Sequence, residues 1–132
     1  SQLGDDAIPE AVYRQALTEG RPKLIAAYES YFSANAVVAM VVPTTPLPAR
    51  PIGHDETVAL NGEQVPTFPT YIRNTDPPSN AGLPCLSVPA GLTADGLPVG
   101  IEFVGAAGAD ATVLGIGRAY EAVRDPIPAP DL

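Results

Sequence analysis

Two short apolar segments, residues 83–90 and 97–105, lie either side of Thr93-Ala94-Asp95-Gly96. Each is too short and too interrupted by Pro and Gly for an ordinary helix, and Val88, Val99, Ile101, Phe103 and Val104 favour a pleated backbone. Asp-Gly supplies the backbone freedom of a tight turn, so the two pair as an antiparallel hairpin. A third segment, Val37-Val38-Ala39-Met40-Val41-Val42, is continuous and largely β-branched, and its pattern predicts a strand buried on both faces. Pro43 ends it. A chain with these three segments must build a sheet and then cover it.

The cover is helical. Residues 9–19 follow a helical pattern with Pro9 in the first turn and Val12, Ala16 and Leu17 on one side, and Gly20 marks the expected stop. Pro22 opens a second helix whose Leu24, Ile25, Tyr28, Tyr31 and Phe32 share one face. Asp110 is placed to cap a last helix carrying Val113, Leu114, Gly117, Tyr120 and Val123. Between these, residues 43–51 hold four prolines and predict an extended surface connection. Asn61-Gly62 predicts a two-residue hairpin turn within residues 57–65. Four prolines break residues 66–80 into short helical turns, and the proline-rich tail after Asp125 reads as an extended strap. With no internal repeat and no Gly/Ser linker, residues 1–132 form a single segment.

Composition removes several function classes. A formal net charge of -8 repels phosphate backbones and anionic lipid surfaces, so neither nucleic acid nor membrane is an expected partner. The one cysteine, Cys85, allows no internal disulfide. No basic-plus-apolar leader and no apolar run near 18 residues is visible, which sets a soluble cytoplasmic protein as the expectation. The first residue is not Met, consistent with a start inside a longer gene product or a trimmed chain.

The reactive side chains are sparse. The five serines, Ser1, Ser30, Ser33, Ser79 and Ser87, include no adjacent pair and no Gly-Gly-Ser run. Ser87 has no base at a spacing that reaches it, and strand alternation accounts for it. Lys23, the only lysine, follows Arg21-Pro22 at a helix start and reads as solvated charge. His54 stands alone without further zinc ligands, and Cys85 reads as a small apolar filler in a buried strand. The Asp5-Asp6 and Asp55-Glu56 pairs read as loop charge. No EF-hand, P-loop or dinucleotide pattern is present, so no cofactor is expected.

The run Asn80-Ala81-Gly82-Leu83-Pro84-Cys85-Leu86-Ser87-Val88-Pro89-Ala90-Gly91, continuing through Gly96-Leu97-Pro98-Val99-Gly100 to Gly105, resembles the C-terminal part of amidase signature enzymes. Val41-Val42-Pro43-Thr44-Thr45-Pro46 resembles that family's strand-then-PTxP element, and residues 109–114 resemble its final helix start. Together these cover most of residues 22–124. Tyr71-Ile72-Arg73-Asn74-Thr75-Asp76 ahead of Ser79-Asn80-Ala81-Gly82 resembles the aryl-acetamide subgroup, the mandelamide- and indoleacetamide-type hydrolases.

The resemblance implies an α/β fold, the C-terminal part of the amidase signature fold, in which a mixed β-sheet is flanked by α-helices. It also implies hydrolysis of a small uncharged carboxamide, aromatic ones included, to acid and ammonia by a Ser, cis-Ser and Lys triad. No complete triad is present, so no catalytic residue is assigned and the chain alone is expected to be inactive. By position, Tyr71, Ile72 and Thr75 fall on the segment that lines the substrate pocket. The implied partners are the remaining N-terminal catalytic portion and the amide substrate, with a homo-oligomer left open. Two alternatives compete. A glutamine-hydrolysing amidotransferase subunit of the same family needs an acid near Ile72, which is apolar; a proline-rich interaction module rests on the PxxP spacing of Pro43 and Pro46.

Overall fold

In a computed structural model of the chain, residues 4, 7–53 and 55–128 are described. Helix α1 (Glu10–Gln15) does not stop at Gly20. It passes through a π turn at Ala16–Gly20 into α2 (Arg21–Asn35), so the two predicted helices are one continuous rod. Gly20 keeps right-handed helical angles, φ -64 and ψ -54, and the wider π turn takes up the irregularity. Termination comes at Ala36, which turns left-handed with φ 50.

Three strands form an antiparallel sheet in the order β1-β5-β4: β1 is Ala39–Pro43, β4 is Cys85–Leu92 and β5 is Pro98–Gly105. The predicted hairpin is therefore correct, with Gly96 at φ 81 in its turn and a bulge between Pro89 and Gly91. Every pairing among the described strands is antiparallel, so this part of the implied mixed sheet contains no parallel neighbours. The expectation for residues 37–42 needs correction. Strand β1 lies at the edge, Val38 is 69% and Val41 55% exposed, and the run is not buried on both faces. Its apolar character outruns the cover that the described residues supply.

The cluster that joins the sheet to its last helix lies on one face, while Glu102 and Val104 are buried on the other. Cross-strand pairs Val88–Ile101 and Leu86–Phe103 meet helix α5 (Asp110–Val123) through Val113, Ile116 and Tyr120. Tyr120 sets its ring edge-on to Phe103, with centroids 5.6 Å apart. Close approach demands glycine twice here. A Cβ on Gly117 would lie 2.2 Å from Leu86 Cδ2, and one on Gly105 would lie 2.4 Å from Val113 Cγ2. The helix begins differently from the expectation: Ala109 is the N-cap and Asp110 is the first helical residue, making no side-chain cap. Its carboxylate still sits at the positive end of the helix. Leu114 and Val123, expected on the apolar face, are exposed, and Ile116 packs in their place.

The second small sheet pairs β2 (Thr57–Leu60) with β3 (Glu63–Pro66). Asn61 at φ 53 and Gly62 at φ 87 make its predicted two-residue turn. Residues 66–80 hold two short helices, α3 (Thr67–Tyr71) and α4 (Asp76–Ala81), as the prolines required. Arg21 Nε donates to the Asn80 carbonyl at 3.0 Å, tying the carbonyl-rich end of α4 to the start of α2. His54, Asp5 and Asp6 lie outside the described residues.

Candidate functional site

The four residues between α3 and α4, 72–75, carry two of the three candidate substrate-contacting side chains, and Tyr71 closes α3 just before them. Tyr71, Ile72 and Thr75 are all half-buried. Their polar groups are engaged locally. Tyr71 Oη donates to the Pro48 carbonyl at 2.6 Å, and Thr75 Oγ1 donates to the Ile72 carbonyl at 3.3 Å. Asn74, which motif reading did not single out, donates from Nδ2 to the Pro43 carbonyl at 2.7 Å. What the segment presents beyond these bonds is an aromatic ring and the Ile72 side chain, with no ionised group of its own except Arg73, which is exposed.

The strap that Tyr71 and Asn74 hold, residues 43–48, walls an apolar recess of about 390 Å³. Val41, Pro46, Leu47 and Pro48 face Val99 and Ile101 of β5 across it, and every lining residue is uncharged. That volume falls within the range of small-molecule sites. The strap is anchored to β5 by the Thr44 N–H, which donates to the Gly100 carbonyl at 3.0 Å. Beside it Thr44 Oγ1 and Ser87 Oγ lie 2.5 Å apart, and a Cβ on Gly100 would come within 2.7 Å of Thr44 Oγ1. Glycine is needed there for the strap to close on the strand.

Ser87 is thus engaged with a threonine hydroxyl, which is no base. Lys23 Nζ is 3.9 Å from Glu19 on the exposed side of the rod, 80% accessible, so its charge is solvated. Cys85 is exposed and does not fill a buried strand as expected, because β4 is an edge strand among the described residues. Its sulfur nonetheless sits against Tyr28 and Glu102, and partial burial together with the Glu102 carboxyl pushes the thiol up to about 11. A thiol held neutral in this way is a poor nucleophile at neutral pH.

Glu102 is the side chain that sequence reading missed. It occupies the middle of the central strand, only 4% exposed, on the face opposite α5, and its Oε1 is buried with no partner among the described residues. Burial pushes its carboxyl above the usual value of 4.5, with the Cys85 hydrogen bond opposing in part. An acid with a raised folded value favours folding below its ordinary value and loses that contribution as pH rises through the raised one. Glu102→Gln in the full-length protein is therefore expected to gain stability relative to the parent as pH rises from 4.5 to 8. Denaturant melts across that range check it; a difference between variant and parent that does not change with pH rules the explanation out. Alternation puts polar Glu102 between apolar Ile101 and Phe103, on the other face of the strand, and such a pattern carries no sign that this face is also covered.

Among the described residues no helix is long and apolar enough to cross a membrane. The chain spans about a quarter of the length of the curated relatives it matches: it is 50% identical over 121 residues to an indoleacetamide hydrolase of Allorhizobium ampelinum, covering 92% of this chain and 26% of that protein. A mandelamide hydrolase of Pseudomonas putida is 40% identical over 124 residues, covering 92% and 23%. A crystal structure of an amidase superposes with a TM-score of 0.78 at 36% identity over 90% of this chain and 26% of that one. Residues 3–114 match the Amidase family model, and with the strand-strap-hairpin-helix order now in place, the chain belongs to the amidase family.

Proposed function

We propose that this chain is the C-terminal portion of a serine-dependent amidase that hydrolyses a small, uncharged, aromatic carboxamide to its acid and ammonia. In that reaction the acyl C–N bond breaks, water supplies the hydroxyl that joins the acyl carbon, and the amide nitrogen leaves with the water's proton. The groups that move protons belong to the N-terminal portion, and that portion is the chain's partner. Residues 1–132 contribute scaffold and pocket wall, with the Tyr71 ring, Ile72 and Thr75 facing the substrate. One observation carries the substrate class: the strap that Tyr71 holds through the Pro48 carbonyl walls a recess whose lining bears no charge, and Ile72, next to Tyr71, is apolar. A zwitterion placed there would be desolvated without a partner, at several kcal/mol or more. The same point weighs against glutamine hydrolysis, and Pro43 and Pro46 of the PxxP spacing are built into the wall of the recess, which leaves them poorly placed for a partner domain.

The test is an ammonia-release assay on the full-length protein with phenylacetamide, acetamide and glutamine, repeated with residues 1–132 alone. Turnover of the aryl amide in preference to glutamine by the full-length protein, and none by the segment, is expected. Preference for glutamine, or turnover by the segment alone, defeats the proposal.

A further inference from the structure

Residues 43–48 cannot hold their own shape. Pro43, Pro46 and Pro48 lack an N–H, so the strap forms no regular ladder of its own, and apart from the Thr45 Oγ1 bond to the Leu47 carbonyl at 2.8 Å its described restraints come from elsewhere. The Thr44 N–H ties one point to Gly100. Thr44 Oγ1 also meets Ser87 Oγ, and Pro43 pairs with Ile101 at the end of β1. Two further ties hold the carbonyls at its ends: Pro43 accepts from Asn74 at 2.7 Å and Pro48 accepts from Tyr71 at 2.6 Å. Two side chains three residues apart, at the junction of α3 and the following loop, therefore bracket the strap that walls the 390 Å³ recess. Both bonds are short, and both run to carbonyls five residues apart.

We propose that the recess between the strap and β5 receives the apolar side group of the carboxamide, and that Asn74 and Tyr71 are positioning residues that set its width. This rests on the reading of the chain as part of an aryl-carboxamide hydrolase. It assigns Tyr71 a second task, through Pro48, besides presenting its ring. Without either donor the strap has one fewer restraint against moving outward, the recess widens, and contact with a ring is lost. A substrate with only a methyl side group makes few contacts there and feels the change less.

The full-length enzyme tests this through a ratio, kcat/KM for phenylacetamide over kcat/KM for acetamide, which is independent of the fraction folded. Tyr71→Phe removes only the hydroxyl, and Asn74→Asp keeps shape while removing the donor. Each is expected to lower the ratio about tenfold, mainly through KM for the aryl amide. Asn74→Gln, which keeps an amide donor, is expected to recover part of it. Leu47→Trp, which fills the recess directly, is expected to lower the ratio at least as far. A ratio unchanged in all of these variants, or a loss shared equally by both amides together with a lowered melting temperature, overturns the inference. A wild-type enzyme that hydrolyses neither amide fails at the underlying reading, and the inference falls with it.

Discussion

Phe103→Ala is expected to destabilise the full-length protein by about 3–5 kcal/mol, a large part of the roughly 5–15 kcal/mol that holds a domain together. Phe103 lies on the central strand, 5% exposed, between Leu86 on β4 and Val41 on β1 in register, and it packs against Val88, Val113 and the edge of Tyr120. Its ring is the piece that α5 closes on. The helix is held so near that Gly105 and Gly117 admit no Cβ, so it has little freedom to sink into the cavity left behind. Poor relaxation places the cost toward the upper end of the range. Equilibrium unfolding in urea measures it; a loss under about 1 kcal/mol would mean that α5 does collapse onto the sheet, against the packing described.

Expressed by itself, residues 1–132 are expected to self-associate and fail to give a clean monomer. The sheet has two edges, β1 and β4, unpaired by any described strand, and edges of this kind pair with other chains. Around them the apolar exposure is broad: Val38 is 69%, Leu114 60%, Tyr13 56%, Val41 55% and Val123 81% accessible. Helix α1 contributes no buried residue at all. Apolar side chains exposed on α1, at β1 and on α5 favour contact with other surfaces, which in the proposal belong to the N-terminal portion of the amidase. Size-exclusion chromatography should show oligomers or void-volume material from the segment alone, and a one-to-one complex when the N-terminal portion is co-expressed. A monodisperse 13.6 kDa species with a cooperative melt would count decisively against it.

Much of the local structure was legible from residues 57–66 and 83–105, because their signals are short-range. Asn61-Gly62 and Asp95-Gly96 dictate their turns through backbone freedom, and the strands on either side follow. The errors share a cause. Gly20 reads as a helix stop because its entropy cost is local, but packing of α2 beside α4 and the Arg21 bond to Asn80 keep the rod running through it. Residues 37–42 read as doubly buried because a continuous β-branched run matches that environment, and nothing local tells how many neighbours a strand has. Asp110 reads as a cap because capping residues and first-turn residues share the same chemistry.

The candidate site divides in the same way. Periodicity and turn residues were enough to establish a hairpin and its covering helix, whereas the pocket role of residues 71–75 is an expectation that came from the family resemblance alone. Only the tertiary structure showed that Tyr71 and Asn74 reach back to the carbonyls of Pro48 and Pro43, and that Glu102 is buried with an oxygen that has no partner among the described residues. The reason is physical. Turns and strands follow from torsional preferences that each residue carries with it, whereas a hydrogen bond across 23 or 31 residues, or the burial of one carboxyl, exists only once separate segments have been packed together.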